Sequence, residues 1–287
     1  MKKIALLPNP EKDPGLECSK VICTRLKEFG ADVYTLPEYS TVGEDITVTE
    51  DKQKLCNQVD GIVAVGGDGT MLRVSHDAVD AGKPVLGINF GKVGYMAELE
   101  FEEIDMLSSL INDEYTLDKR TMLDVSVIRD GKTIYSSIAL NDAVVSKGVI
   151  ARLVKTEICS KGELLTSYNS DGVIVSTATG STGYSLSAGG PVMEPSSKAM
   201  IVTPIAPHSL VNKSIVFDGE SDISITVKDI GNKDVYLTVD GFEILRLNEN
   251  DKVITRRSEK YTTLIRIKNI NFYKILNSKL SHGGELK

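Results

Sequence analysis

The sequence predicts two domains of different class: an N-terminal α/β domain on a parallel sheet, then a C-terminal β-rich domain. Two observations carry this. In the first third, short continuously apolar runs alternate with segments whose apolar residues recur at helical spacing, the pattern of buried strands covered by helices. From Tyr115 onward the apolar residues recur at every second position, as in half-buried antiparallel strands. The expected organisation is 1–99 for the α/β domain, 100–268 for the β-rich domain, and a tail, 269–287, that packs back on the first.

In order, Ile4–Leu7 reads as a short buried strand. Cys18–Phe29 carries Val21, Ile22, Leu26 and Phe29 at helical spacing, with Gly30 as the residue that ends the helix. Ala31–Leu36 reads as strand, Thr49–Val59 as helix, and Gly61–Val65 as a fully buried strand. A helix over Met71–Val79 and a buried strand over Pro84–Asn89 follow, then a helix over Phe101–Ile111. In the second part, Leu123–Ile128 and Thr133–Ile138 flank Arg129-Asp130-Gly131-Lys132, where Asp-Gly signals a hairpin. Further strands are expected at Leu153–Cys159, Gly172–Ser176, Ala199–Thr203, Ser214–Phe217, Asp222–Val227, Val235–Val239, Lys252–Thr255 and Thr262–Ile267, and a last helix at Phe272–Leu276.

Composition narrows the function. The 287 residues are 41% hydrophobic and 25% charged, with a net charge of −7. Such an acidic chain is a poor partner for nucleic acid or an anionic membrane, so neither is expected. No apolar run reaches the ~20 residues of a membrane helix. Only four apolar residues separate Met1-Lys2-Lys3 from Pro8, so no signal peptide is expected. Cys18, Cys23, Cys56 and Cys159 form no C-x-x-C pair, and the three His are scattered. A zinc site is therefore not expected, and free thiols fit a reducing cytoplasm. Asn212-Lys213-Ser214 matches a glycosylation sequon by chance.

The most informative residues are Gly66-Gly67-Asp68-Gly69-Thr70, between a buried strand and a helix. A glycine-rich turn there aims backbone N–H groups and the positive end of a helix dipole at its occupant, which suits phosphate. A carboxylate repels phosphate, so Asp68 makes sense if it takes a proton from a hydroxyl or holds a divalent cation beside the phosphate. The plainer alternative is a tight turn with Asp as helix N-cap. A second stretch, Asp171–Gly190, passes from a buried strand into a run of small hydroxyl and glycine residues. Little side-chain bulk covers that backbone, so a flat ring can approach it, and Tyr184 adds an aromatic face. A Walker A sequence, G-x-S-x-G and a strand-to-helix G-x-G-x-x-G are all missing.

With these motifs in this order, the sequence resembles the NAD kinases. The resemblance covers nearly the whole chain: Gly66–Thr70, Gly87–Tyr95, Asn141-Asp142, Asp171–Gly190 and Thr203-Pro204-Ile205-Ala206-Pro207. It implies phosphoryl transfer from ATP to the adenosine-ribose 2′-hydroxyl of NAD. It also implies a Rossmann-like domain, a β-sandwich domain, an active site between them, and a homodimer or homotetramer. By resemblance, Asp68 is the catalytic acid/base and touches NAD, with Gly69 beside it. Asn141, Asp142, Asp171, Thr182, Gly183, Tyr184, Ser185, Leu186, Ser187 and Ala206 match NAD-contacting positions. Arg73 and Arg152 match basic positions near phosphate. The family binds ATP with Mg²⁺, and no metal-ligating residues of the chain are expected. A backbone cradle reads phosphate rather than adenine, so polyphosphate is an open second donor. Phe242 stands where many members have Gln.

Two other readings use the same turn. A lipid or sphingoid-base kinase shares Gly-Gly-Asp-Gly, but Asp171–Gly190 does not suit an acyl chain. A non-catalytic NAD-binding regulator has no need of Asp68.

Overall fold

The computed structural model describes residues 1–90, 94–148, 152–208, 213–231, 234–268 and 272–282. Gly91-Lys92-Val93 of the Gly87–Tyr95 match, Asn212 of the sequon, and parts of the tail lie outside them. The chain divides into one unit of residues 1–119 and 262–287 and another of 120–261. Both crossings fall inside long strands, Thr116–Arg129 and Lys252–Arg266. No turn residues or change of composition mark them. Residues 100–119 and 262–268 therefore group with the first unit, whereas the sequence pattern put them with the second.

The first unit begins with β1 (Lys3–Pro8), α1 (Glu17–Glu28), β2 (Asp32–Thr35), β3 (Thr47–Val48), α2 (Lys52–Gln58) and β4 (Gly61–Val65). It continues with α3 (Asp68–Val79), β5 (Val85–Asn89), β6 (Leu99–Glu100) and α4 (Ser108–Ile111). The strands run parallel in the order β3-β2-β1-β4-β5-β6. From β1 the chain winds outward to β2 on one side, while β4 lies on the other. The switch point is therefore between β1 and β4, and sheets of this kind bind ligands at the carboxyl ends of the strands beside that point. Every residue of β4 is buried, which is why its sequence carries no alternation. Ile22 and Leu26 of α1 join Ile4, Leu6, Val63, Leu86 and Ile88 in one core. The buried Asp13 side chain accepts from the Cys18 and Ser19 N–H groups, satisfying donors of the α1 N-terminus. Asp51 caps α2 through the Lys54 N–H at 2.7 Å.

The expected helix 101–111 is instead a 3₁₀ segment, Phe101–Leu107, leading into one α turn, Ser108–Ile111. Phe101, Ile104, Leu107 and Leu110 all reach the core. They stand three apart, and a three-residue turn keeps them on one face.

The second unit is mostly β, and the strand pairings described within it are antiparallel. It holds β7 (Thr116–Arg129, from Arg120), β8 (Lys132–Ala139), β9 (Asp142–Lys147), β10 (Val154–Ser160), β11 (Glu163–Ser170) and β12 (Gly172–Ser176). A 3₁₀ turn (Gly180–Thr182) and the single turn α5 (Tyr184–Ser187) follow. Then come β13 (Met200–Ile205), β14 (Ile215–Phe217), β15 (Ile223–Lys228), β16 (Val235–Val239), β17 (Glu243–Leu247) and β18 (Lys252–Arg266, to Tyr261). One sheet has the order β14-β13-β12-β9-β16-β17; β11, β10, β15 and β18 follow one another in the other. Val145, Val173 and Val202 of the first share a core with Ile158, Ile225 and Val253 of the second, as in a sandwich. The β7–β8 hairpin turns at Asp130 and Gly131, both left-handed, as Asp-Gly predicts. Of the strands longer than two residues, β9, β11 and β17 were not expected from the sequence. β9 is central, and its apolar run, Ala143-Val144-Val145, is only three residues long. β11 and β17 are outer strands, each paired with one neighbour. The last helix, α6 (Phe272–His282), runs longer than expected.

Candidate active site

In the first unit the chemistry gathers at the switch point. Asn9 follows β1 and donates its N–H to Val65 at the end of β4; its side-chain amide reaches Thr70 Oγ1 at 3.0 Å. Gly66 N–H bonds Ile88 of β5. The turn is thus tied to both neighbouring strands, and α3 starts from Gly67 as N-cap. Asp68 is the first residue of that helix. Tyr95 N–H donates to its Oδ2 at 2.9 Å and Met96 N–H to its Oδ1 at 3.2 Å. Each oxygen keeps lone pairs for a further donor. Gly94 packs so close that a methyl group there would overlap the carboxylate. Burial, and then the nearby Asp68 charge, push the Tyr95 phenol up. Gly69 is exposed with open space above it, and Arg73 is exposed one turn along the helix.

In the second unit, Asn141 and Asp142 enter β9 on a clamp. The Asp240 carboxylate, 5% exposed, accepts from the N–H groups of Leu140 (2.7 Å), Asn141 (2.8 Å) and Asp142 (3.0 Å). Asp240 N–H returns a bond to Asp142 O. The other side is held by Thr177, whose hydroxyl donates to Leu140 O and accepts from Gly180 N–H. Gly180 lies flat against the Asn141 backbone, with no room for a side chain. Within this frame Asn141 Oδ1 is buried and has no partner among the described residues. A buried acceptor left open is costly unless a ligand donates to it. Asp142 is also buried; burial first, and then the Asp240 charge, raise its carboxyl to about 7.

The other expected contacts divide by exposure. Tyr184 and Ser187 of α5 are exposed, and Thr182, Gly183 and Leu186 are half-buried. Ser185 is fully buried and shares a hydrogen bond with Thr203, which also accepts from Ser214. Its hydroxyl therefore holds α5 on β13. Asp171 precedes β12 and pairs with Lys147 at 2.6 Å. Ala206 follows β13, exposed and left-handed at φ 43°. Arg152 is exposed ahead of β10. Sequence reasoning missed Asn9, Thr177, Asp240 and the Tyr95 and Met96 donors. Nothing in the dipeptide Asp240-Gly241 reveals a clamp on residues a hundred positions away.

A carboxylate with open lone pairs, in a glycine-rich turn at a helix N-terminus, is an arrangement that can serve group transfer to a hydroxyl. The class is a phosphotransferase with an alcohol group as acceptor. Comparison with known proteins narrows it. Residues 9–115 match the ATP-NAD kinase N-terminal domain, and residues 140–267 the ATP-NAD kinase C-terminal domain. The chain is 36% identical to the NAD kinase of Natranaerobius thermophilus over 291 residues, covering all of both chains. It is 34% identical to that of Acetivibrio thermocellus over 286 residues, covering 99% of each. The crystal structure of yeast NADH kinase complexed with NADH superposes with a TM-score of 0.89 at 25% identity. That match covers 100% of this chain and 89% of the other. The chain belongs to the NAD kinase family.

Proposed function

We propose that this protein transfers the γ-phosphoryl group of ATP to the adenosine-ribose 2′-hydroxyl of NAD, with Asp68 as the proton acceptor. The observation that carries this is the Asp68 carboxylate, fixed by two N–H groups at the mouth of a phosphate-receiving turn. A ribose hydroxyl is far less acidic than a carboxylic acid, so the proton moves as the bond to phosphorus forms. The N–H groups at the start of α3, which have no intrahelical partners, offset charge on the phosphoryl oxygens. Asn141 and Asp142, with Asp171, Tyr184 and their neighbours, hold the dinucleotide. A coupled assay for NADP from NAD and ATP tests this. Turnover of a diacylglycerol or sphingoid base instead would support the lipid-kinase reading, and NAD binding without turnover would make the protein a regulator.

Asn141→Ala is expected to weaken NAD binding by about 1–3 kcal/mol, because substrate donors lose the acceptor held open for them. The KM for ATP should stay near its original value. Equal weakening toward both substrates would point to folding instead.

Among the described residues the turn offers one carboxylate, Asp68, and no group of three or more His, Cys, Asp or Glu is placed to hold a metal; Mg²⁺ prefers phosphate oxygens and water. The divalent ion therefore fits as a companion of ATP, offsetting phosphate charge. Activity should vanish in EDTA and return with Mg²⁺ or Mn²⁺, while the melting temperature of the ligand-free protein stays unchanged by EDTA. A stoichiometric metal in the purified protein would overturn this.

We also propose a cytoplasmic homo-oligomer, a dimer or tetramer. The four cysteines are free thiols. Outer strands expose apolar side chains, including Leu164 at 61% and Ile244 at 70%. Light scattering should find no fully active ~31 kDa species.

A further inference from the structure

Arg266 closes β18 and is largely buried. Its Nη1 donates to the Met96 carbonyl at 3.0 Å and to Glu98 Oε2 at 3.0 Å; its Nε donates to Asp118 Oδ2 at 3.2 Å. The other oxygen of Glu98 accepts from the N–H groups of Ile267 (2.9 Å) and Lys268 (2.6 Å). Glu98 N–H is itself anchored to Gly87 O of β5 at 2.9 Å. The guanidinium and the segment it grips are therefore locked together, and the proposed reaction uses none of these groups directly.

Met96 faces both ways. Its N–H donates to the Asp68 carboxylate, while its carbonyl accepts from Arg266. One residue pinned at both ends has its backbone dihedrals fixed. With the carbonyl released, the N–H is free to turn away. We propose that Arg266 is a positioning residue that aims Asp68 through the Met96 backbone. This rests on Asp68 as the proton acceptor. A guanidinium suits this place, since it reaches three acceptors from two of its nitrogens.

The test starts from Arg266→Lys. It keeps a cation beside Glu98, but a single ammonium cannot reproduce the fork. Misplacement of a reacting group by ~1 Å costs on the order of 100-fold, so kcat should fall about tenfold to 100-fold, with both KM values nearly unchanged. In an Asp68→Asn background the same change should alter kcat by no more than about twofold, because the group it positions has gone. Hydrogen exchange in the ligand-free protein should accelerate in the peptide containing Tyr95 and Met96, while the first unit away from that peptide and from the Glu98-bound Ile267 and Lys268 amides stays unchanged. If Arg266→Lys does not fold, Glu98→Gln with Arg266→Met removes both buried charges together and takes the same three measurements. Equal loss of kcat in both Asp68 backgrounds, a rise in KM at constant kcat, or unchanged exchange at Tyr95 and Met96 would each overturn the proposal. If Asp68→Asn alone keeps full turnover, the proton-acceptor reading fails first, and the exchange result still reports whether Arg266 holds the segment.

Discussion

Asp68→Asn is expected to lower kcat at least about 100-fold while changing NAD affinity much less. Loss of a general base typically costs ~10²–10⁴-fold, or roughly 3–5 kcal/mol of barrier. The structure adds a second contribution. Both carboxylate oxygens accept backbone N–H groups, one from Tyr95 and one from Met96. An amide has only one acceptor oxygen, so its NH₂ must face a donor or turn away. A lost hydrogen bond of this kind is worth about 1 kcal/mol of local order. Steady-state kinetics with calorimetric NAD binding separates these effects: the base affects turnover, and the lost bond affects the placement of α3. A variant that keeps most of its turnover would remove Asp68 from the base role.

The second large effect expected is a pH dependence of stability centred on Asp142. In the unfolded chain its carboxyl titrates near 3.8, and in the fold near 7. Between those values the folded state holds the proton more tightly. Its stabilising contribution is therefore complete below about pH 4 and is lost as pH rises through about 7. At 1.36 kcal/mol per pH unit the full span is on the order of 4 kcal/mol. Asp142→Asn removes the titration and leaves a neutral side chain of the same size beside Asp240. The variant should therefore gain on the original protein by roughly 2–3 kcal/mol between pH 5 and pH 8. Denaturant melts of the ligand-free proteins at both pH values measure this. A gap that does not change with pH would show that Asp142 stays ionised throughout.

The parts of the fold that were legible share one property: their signal is local. Five consecutive buried residues in β4, opened by Gly61 and followed by Gly66, can be read as a strand wherever they occur. The same holds for the Asp130-Gly131 turn. The β11 strand was illegible because Leu164 and Leu165 lie exposed on an outer strand and only Tyr168 and Ser170 anchor it inward. Asp68 could be put forward as the reactive acid from its own turn alone. Asp240 could not be identified as a clamp, because its partners are Leu140, Asn141 and Asp142, 98–100 residues earlier in the chain. The division of the chain was missed for a related reason. A crossing in mid-strand has the same alternation on both sides.

The two donors that hold Asp68 belong to peptide groups, and this shapes which sequence changes the site can absorb. A side-chain clamp is lost with its residue type. A backbone clamp survives every substitution that keeps the local path, so the N–H at position 95 can hold the acid whichever side chain that position carries. Proline is the exception, since it alone has no N–H to give. The constraint at this point of the chain therefore falls on geometry instead of identity. It falls hardest at Gly94, where even one added carbon would displace the carboxylate. A saturation library at positions 94 and 95 should accordingly show two different profiles: near-universal failure at the first, and a loss sharpest at proline at the second.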